Sequence, residues 1–503
     1  MLHGYTRKFP PLELLSDEEM ATIHRGALYV LDRTGMRVEH DRILKQLEAR
    51  GCRVDFEARR VRFPVGLVED CLRQCPSSFR LRARDPNLDL MVGGDTFYFM
   101  QGMGMRYVDL DTWETRPATA AEHREAMIVA DALESVHLAE GYEIYTDRQG
   151  IPPIMAVLEN LASGIRYSSK TQVAGNIQDC ELFTIRMAQA VGTDLFPEID
   201  SGMPLTIHGG AIEAAYRYIE AGIPIAPSAS ITMGSEGPAT LAGATVLMTA
   251  MAMTWVVISQ LIRPGTPMAF CHGISPMDMQ RGNPILGAPQ DGLSSVMMNQ
   301  MLRRYGIPIW STAGWAAMSK QFDYQAAYER ALPTLVSALS GAHIHLWHGG
   351  SSMELLYHPV LSILDDDVAG WIGRFLEGVV VSDDTLAVDL INQVGPIPGH
   401  YLGTAHTREW WREEQWLPKA ADLEAYPVWV RSGKKDALAL AQERMEQILA
   451  THKPEPLTTK QEQAIEDVLV EARQFYRDRG TISDAEWSVY MQTLESARAG
   501  VAP

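Results

Sequence analysis

Aromatic side chains gather where several apolar runs of this sequence end, and they suggest binding of a cation. The rings in question are Tyr98, Trp310, Trp315 and Trp347. A quaternary ammonium is attracted to the face of an aromatic ring, and each desolvated contact contributes about 1–2 kcal/mol. Tryptophan is more commonly an ordinary core residue. An aromatic cage and simple core packing are therefore both interpretations of these four residues.

Histidines form the second group, and their chemistry stays open. On a strand, His343, His345 and Trp347 share one face, because side chains alternate along a strand. A zinc site would need further ligands, for which Cys271 and His272 are available, but no zinc-binding motif of known spacing is present. We expect no bound metal. A polar lining of the core without catalytic duty is the plainer interpretation of any single histidine.

A repeated alternation of apolar runs and helical segments must position these residues. The runs are Val136–Gly141, Gln172–Gly175, Pro204–His208, Pro224–Ala229, Pro267–His272, Ile307–Thr312 and His343–Trp347. The intervening helix-like segments include 211–221, 238–262, 292–305 and 324–339. Parallel neighbours need a helical crossover, so seven such units predict a parallel sheet. An open doubly wound sheet fits the same alternation, but the sequence has no dinucleotide-binding or P-loop motif.

We therefore predict a (β/α)8 TIM barrel, with its chemistry at the carboxyl ends of the strands. The predicted division is an α/β leader over residues 1–135, a catalytic barrel over 136–428 and a helical arm over 429–503. The eighth strand is expected after Glu377. Ser16 and Glu19 form a predicted capping box that starts a leader helix. The charged arm is expected to wrap the barrel or to join two copies in a homo-oligomer.

Composition excludes several classes of function. The formal net charge of −19 disfavours binding to nucleic acid and to an anionic membrane surface. The five cysteines contain no C-x-x-C pair and suggest no disulfide framework. The longest apolar stretch, 242–262, is interrupted by polar residues and is predicted to be a buried helix. With no signal-peptide core at the amino terminus, a cytoplasmic location is expected.

Short motifs in a fixed order along the chain carry a family resemblance. They include Arg84-Asp85-Pro86, Asp109–Thr112 (DLDT), Arg116–Thr119 (RPAT), Gly237–Gly243 (GPATLAG), Gln260–Pro267 (QLIRPGTP), Asp323–Glu329 (DYQAAYE), Asp383–Leu386 (DDTL) and Gly399–Leu402 (GHYL). In these motifs the chain resembles the trimethylamine methyltransferase family along nearly its whole length. The resemblance implies a barrel that transfers a methyl group to cob(I)alamin. Because the chain has no D-x-H-x-x-G corrinoid motif, the corrinoid is expected on a separate partner protein.

One departure from the family assigns a branch. Trimethylamine enzymes of the family carry pyrrolysine, which this sequence lacks and whose place falls within 310–320. A quaternary amine leaves as a neutral tertiary amine and needs no acid, so the chain resembles the glycine betaine branch. A family glutamate stands here as Met251 or Met253, which puts the exact pocket in question.

This branch implies a positioning enzyme without a catalytic acid or base. Its rings at Tyr98, Trp315 and Trp347 would hold the trimethylammonium group. The polar end of the substrate would lie on His345 and His348, with Gln101 nearby. Two alternatives remain: a zinc-dependent barrel methyltransferase or hydrolase that uses Cys271, His272 and His345, and a module that binds a betaine or a corrinoid protein without turnover.

Overall fold

The amino-terminal segment folds into helices and short strands that surround one side of a barrel. The computed structural model describes residues 4–142 and 151–498. The first elements are β1 (Tyr5–Thr6), α1 (Asp17–Arg33), β2 (Met36–Val38), α2 (Asp41–Ala49), β3 (Arg53–Asp55), β4 (Arg60–Arg62), α3 (Val65–Gln74), β5 (Ser78–Leu81) and β6 (Leu90–Gly93). The predicted capping box is confirmed, because the Glu19 carboxylate accepts from Ser16 N–H at 2.8 Å while the Ser16 hydroxyl accepts from Glu19 N–H.

Eight parallel strands in the described part of the chain close into a barrel, which confirms the predicted fold class. The elements that build it are β7 (Thr96–Gln101), β8 (Arg106–Val108), β9 (Thr115–Arg116), α4 (Ala120–Ala132), β10 (Val136–Ala139), α5 (Pro153–Tyr167), β11 (Thr171–Ala174), α6 (Glu181–Val191), β12 (Leu195–Asp200), β13 (Thr206–Ile207), α7 (Gly209–Glu220), β14 (Ala226–Thr232), α8 (Leu241–Ile262), β15 (Phe270–Ser275), β16 (Met277–Asp278), β17 (Asn283–Pro284), α9 (Pro289–Arg304), β18 (Ile309–Ser311), α10 (Tyr324–Leu339), β19 (Ile344–His348), β20 (Gly350–Ser351), β21 (Leu356–Tyr357) and α11 (Pro359–Leu376). Around the barrel the strand order is β7-β10-β11-β12-β14-β15-β18-β19, and β19 pairs with β7 to close it.

One of the seven runs predicted to be barrel strands is wrong. The run Pro204–His208 does not enter the barrel; its residues 206–207 form β13, which pairs with β2 of the leader. The barrel strand of that unit is β12, which lies earlier in the chain. Pro197 stands inside β12, and a proline within a run weakens the signal of a central strand because it cannot donate a ladder hydrogen bond.

The eighth strand comes from the leader and not from the segment after Glu377. The eighth strand is β7 (Thr96–Gln101), which pairs with both β10 and β19. It therefore lies in the range 1–135 that was assigned to the leader, and the three-part division otherwise stays a prediction. This strand is hard to recognise as part of the barrel, because two short strands outside the barrel (β8 and β9) separate β7 from the next helix.

The amino end of the barrel is plugged. The hairpin of β5 and β6 packs Phe79, Leu81, Leu90 and Val92 against the ring of Tyr98 in the lumen. These apolar side chains seal one end, so a small molecule has to enter at the other.

Helix α8 is the one helix of the described residues long and apolar enough to cross a membrane by length and composition, with a mean hydropathy of 1.9. It packs instead against α1, α3 and α9. From Met248 to Ile258 its side chains are fully buried. The prediction of a buried core helix is confirmed, and Met251 and Met253 belong to this outer core layer.

The regular elements that the structure describes after α11 are all helices. These are α12 (Asp383–Leu386), α13 (Val388–Val394), α14 (Ala405–Glu414), α15 (Tyr426–Arg431), α16 (Ala437–Thr451), α17 (Thr459–Asp478) and α18 (Asp484–Arg498). Helix α16 packs on α4 and α11, and α17 packs on α5 and α6. The end of the arm therefore wraps its own barrel.

Candidate active site

A cavity of about 910 Å³ opens at the carboxyl ends of the barrel strands. Its floor includes Val173, Cys271 and Leu346, which point into the lumen. Its wall continues along the strand ends through Ser228, Ser230, Thr232, Ser275 and Thr312, and through the loops that follow. A volume of this size accommodates a small organic molecule. Its location is where the barrel fold places chemistry.

Carboxylates line this cavity, although the sequence pattern did not point to them. They are Glu140, Glu198, Asp200, Glu236, Asp291 and Glu354. Burial raises the pKa of the Cys271 thiol well above its ordinary value, and Glu198, Asp200 and Glu354 raise it further. Three carboxylates therefore act on one point of the cavity floor. A thiol held protonated in this way is not a nucleophile.

Three of these six acids stand at strand ends. Glu198 and Asp200 lie two residues apart on β12, so both face the same side of that strand. Glu140 follows β10 directly. The Ser228 hydroxyl on the neighbouring strand donates to Asp200. The period-two pattern of Glu198 and Asp200 would have been a usable signal, had β12 been recognised as a barrel strand.

Asp291 lies in the first turn of α9 and is buried. It accepts from Gly287 N–H at 3.0 Å. Burial raises the pKa of its carboxyl to about 6, while the backbone N–H groups of Gly287 and Gly314 hold it lower than burial alone would. The Asp291 carboxyl therefore titrates close to neutral pH.

Trp315 is the predicted aromatic residue that lines the cavity. Its six-membered ring packs against Gly102 and Gly350, where an added Cβ would come within 2.9 and 2.6 Å of ring atoms. The preceding Gly314 has φ +82°, and a Cβ there would meet the Arg330 carbonyl oxygen at 2.5 Å. Glycine is required at these positions because the ring and the turn fill the space of any side chain. The indole is therefore held in one place on the wall.

Tyr98 and Trp310 point into the lumen but lie away from the cavity lining. The Tyr98 hydroxyl donates to the Met91 carbonyl at 3.2 Å, at the plugged amino end. Trp310 packs edge-on against Phe196, with ring centroids 5.1 Å apart. The structure does not bring these two rings to Trp315, so the predicted four-ring cage is not assembled.

The histidines and Trp347 of β19 face the helices outside the barrel. His345 Nε2 lies 3.1 Å from Thr334 Oγ1 of α10, and the Trp347 indole N–H donates to the Asp365 carbonyl at 3.1 Å. The shared face of His343, His345 and Trp347 is as predicted, but it is the outer face. Ile344 and Leu346 take the inner face because apolar side chains fill the lumen below the cavity.

His348 ends strand β19 and Gln101 ends the neighbouring strand β7, and both side chains are buried. His348 Nε2 lies 2.8 Å from the Ser135 hydroxyl, and Gln101 donates to the Tyr357 hydroxyl. Burial lowers the pKa of His345 to about 3 and lowers that of His348 well below its ordinary value. Both rings are neutral at pH 7, and neither lines the cavity. The structure therefore gives no support to a carboxylate-binding role for them.

The structure separates the residues that the zinc alternative would use as ligands. Cys271 points into the lumen, whereas His272 points outward and lies 2.8 Å from Asn299 Oδ1. Residues 4–142 and 151–498 contain no group of three or more His, Cys, Asp or Glu side chains placed to hold a metal ion.

Comparison with known proteins identifies the family. The family model described as trimethylamine methyltransferase (MTTB) matches residues 1–474. The chain is 29% identical over 462 residues to the glycine betaine methyltransferase of Desulfitobacterium hafniense (strain Y51), covering 89% of this chain and 94% of that one. It is also 29% identical over 473 residues to the trimethylamine methyltransferase MttB of D. hafniense (strain DSM 10664 / DCB-2), with 92% and 94% covered.

Among solved structures, the chain is similar to the monomethylamine methyltransferase (MtmB) of Methanosarcina barkeri. The two are 13% identical, with a TM-score of 0.49, over 94% of this chain and 96% of that one. The family match spans nearly all of this sequence, and the closed barrel agrees with the expectation from the sequence motifs. The chain belongs to the trimethylamine methyltransferase family.

Proposed function

We propose that this methyltransferase demethylates a quaternary amine, glycine betaine or a related betaine, and passes the methyl group to the Co(I) of a separate corrinoid protein. The observation that carries the proposal is the cavity, in which one fixed indole and a set of carboxylates line the wall at the carboxyl ends of the barrel strands. The similarity to a glycine betaine methyltransferase favours the same class of substrate.

The cavity suits a methylated cation. A quaternary nitrogen has no N–H to donate, so recognition relies on ring faces and on nearby negative charge. Trp315 offers the ring face, and Glu198, Asp200 and Glu354 offer the charge. We assign the positioning of the ammonium group to Trp315.

The reaction needs no proton transfer from the protein. The C–N bond breaks, the electron pair stays on nitrogen, and the amine leaves as a neutral tertiary amine. Co(I) supplies the electron pair for the new cobalt–carbon bond and becomes formally Co(III). The residues of this chain bind the amine, exclude water around it and hold one methyl group toward the mouth of the cavity. Alignment of this kind can supply several kcal/mol, up to about 7–11 in model reactions.

The rim of the cavity supports a macromolecular partner. Exposed apolar side chains stand on the loops around the mouth: Met105, Ile177, Met279, Ile285 and Leu355. Apolar groups clustered on a rim mark surfaces that a partner covers. A corrinoid protein that docks here would bring its cofactor over the opening.

The test is a panel of amines mixed with the enzyme and a reduced corrinoid protein, followed by visible absorbance. Glycine betaine, carnitine, proline betaine and choline are compared with trimethylamine. We expect loss of the Co(I) band with at least one quaternary amine and no change with trimethylamine. Tight amine binding without any change in cobalt absorbance would instead favour a binding module. Activity that depends on stoichiometric zinc would favour the hydrolase alternative.

A further inference from the structure

We propose that residues 379–415, here called the lobe, are the contact surface for a second copy of this chain. The lobe contains α12, α13 and α14 and leaves the barrel directly after α11. None of its residues is buried. A segment of this length with no core of its own does not offset the conformational entropy lost when it is ordered, so its structure requires a surface that covers it.

The lobe carries large apolar side chains that are exposed. They are Val379, Val380, Val381, Leu386, Val388, Ile391, Ile397, Tyr401, Leu402 and Trp411. Ile397 is 95% exposed and Leu402 is 88% exposed. The patch continues onto α11, where the stacked rings of Trp371 and Phe375 are also about half exposed. Monomeric proteins rarely leave a patch of this kind uncovered.

The size of the patch matches a stable interface. At these exposed fractions, the apolar side chains of the lobe expose on the order of 1,000 Å², which exceeds the roughly 800 Å² per partner that a standard interface buries. In a two-fold dimer each lobe would cover the other copy, so the buried area doubles. The lobe alone therefore suffices for a dimer.

Hydrogen bonds and ion pairs among the described residues join the lobe to the rest of its chain only at its base. Arg374 of α11 donates to the Gly378 carbonyl at 2.7 Å and pairs with Glu414 at 3.1 Å, and Gly370 packs against Trp416 just beyond the lobe. Among the described residues, the lobe has no other ion pair with the barrel. The two ends of the lobe therefore lie close together on the barrel.

The position of the base distinguishes a second copy from a corrinoid protein. Lys8 N–H donates to the Leu376 carbonyl at 2.9 Å, next to β1, and β1 pairs with the first residues of β7. The base of the lobe therefore lies at the plugged amino end of the barrel. A protein that delivers a methyl acceptor must engage the opposite end, where the cavity opens.

The charge of the lobe argues against a membrane as the covering surface. Its acidic residues are Asp383, Asp384, Asp389, Glu409, Glu413 and Glu414, and its basic residues are Arg408 and Arg412. A net negative, apolar surface is repelled by anionic lipid. A second copy covers the patch with an equally apolar surface, because a two-fold axis brings the same patch of both copies together.

The experiment measures the mass of the full-length protein by light scattering after gel filtration. We expect a dimer or a higher symmetric oligomer for the wild type, and a smaller species for the double variant Ile397→Asp/Leu402→Asp. The control is Tyr324→Asp/Leu332→Asp on α10, where both side chains are similarly exposed (84% and 60%), and this variant should keep the wild-type mass. Because none of the lobe residues is buried in the barrel core, the lobe variant should keep the folded barrel, which its thermal unfolding transition reports.

Hydrogen exchange provides a second measurement. Amides of 379–415 should be protected in the wild type and lose protection in the lobe variant, while those of β14 and β15 stay protected in both. A monomeric wild type at micromolar concentration overturns the proposal, and so does a lobe variant of unchanged mass and protection. A monomer that loses its affinity for the corrinoid protein on lobe mutation would also overturn it, because the lobe would then serve that partner.

Discussion

At the scale of the residue, position decides what a side chain of the right type can do. The sequence offers four aromatic rings and several histidines as binding residues, and the barrel brings one of them, Trp315, to the cavity. The rest are divided by strand alternation, since the inner face of β19 belongs to Ile344 and Leu346. Periodicity shows which residues share a face, but not whether that face is inside or outside when both faces are buried.

Replacing Trp315 with Ala should weaken binding of a quaternary amine. Loss of the cation–π contact and of its packing should cost roughly 1–3 kcal/mol, which is about a 5- to 150-fold rise in Kd. Isothermal titration with the preferred amine measures it. The matched control is Trp371→Ala on the exposed side of α11, which should leave Kd unchanged. Equal weakening in both variants would show that Trp315 has no special role.

Buried histidines should make the protein less stable in mild acid. Burial lowers the pKa of His123 and His345 to about 3 and of His272, His343 and His358 to about 4. Below the ordinary value of 6.5 the unfolded chain takes up protons that the folded chain cannot, so stability is full above pH 6.5 and falls as the pH drops toward 4. Each site contributes about 1.4 kcal/mol per pH unit in this window.

Asp291 and Asp365 act in the opposite sense below pH 6, because their raised pKa values favour the protonated folded state, but two carboxyls do not balance five histidines. We therefore expect Tm to fall between pH 6.5 and 5. His343 is the site to replace, because its neutral tautomer accepts from Ile309 N–H at 3.0 Å and donates to the Gly94 carbonyl at 3.1 Å. The variant His343→Gln should show a shallower fall in Tm; an unchanged slope would contradict this assignment.

At the scale of the element, the regular part of the alternation was predictable and its ends were not. Helix 324–339 was predicted to the residue, and α7, α8 and α9 within three residues. The unit of β12 was misplaced because Pro197 interrupts its apolar run. The first barrel strand was assigned to the leader because β8 and β9 separate it from the repeat. The carboxylates of the site were missed for the same reason, since two of them stand on β12.

A buried ion pair ties three elements to the site. Arg330 of α10 makes a two-pronged pair with Asp365 of α11, donates to the Trp315 and Trp347 carbonyls, and lies 4.6 Å from the centre of the Trp347 ring. Both charged side chains are nearly inaccessible to solvent. The pair fixes the backbone that presents the indole.

The variant Arg330→Met should lose about 3–5 kcal/mol of stability, because Asp365 would remain buried without its charged partner. It should also weaken amine binding through the displaced Trp315. The control Arg186→Met breaks an exposed pair with Glu471 and should cost no more than about 1 kcal/mol. Chemical denaturation of both variants compares the two costs, and similar losses would refute a structural role for the buried pair.

At the scale of the whole molecule, the two ends of the barrel have different tasks. The amino end is sealed by the β5–β6 hairpin, and the lobe leaves from that side. The carboxyl end is open and has an apolar rim. The family resemblance predicted a separate corrinoid partner, but no periodicity in the sequence shows which loops would meet it, because these loops become neighbours only when the barrel closes.

Met279 is the most exposed of the large apolar side chains on the rim, at 75%. The variant Met279→Lys should raise KM for the corrinoid protein by about 5- to 30-fold, a cost on the order of 1–2 kcal/mol for a charge placed in an apolar contact. Binding of the amine should not change. The control Met91→Lys alters an equally apolar, 53% exposed side chain at the amino end and should leave both parameters as they are. A rise of KM in the control alone would contradict this assignment, because it would place the docking site at the amino end of the barrel.

The central claim is tested most directly by counting methyl groups in a single mixture. The enzyme is incubated with its best quaternary amine, carrying ¹³C-labelled methyl groups, and with a known amount of Co(I) corrinoid protein. We predict one molecule of demethylated tertiary amine for each labelled methyl group found on cobalt, with neither product when trimethylamine is supplied instead. Demethylated amine without labelled cobalt, or no turnover of any quaternary amine, would contradict the proposed reaction.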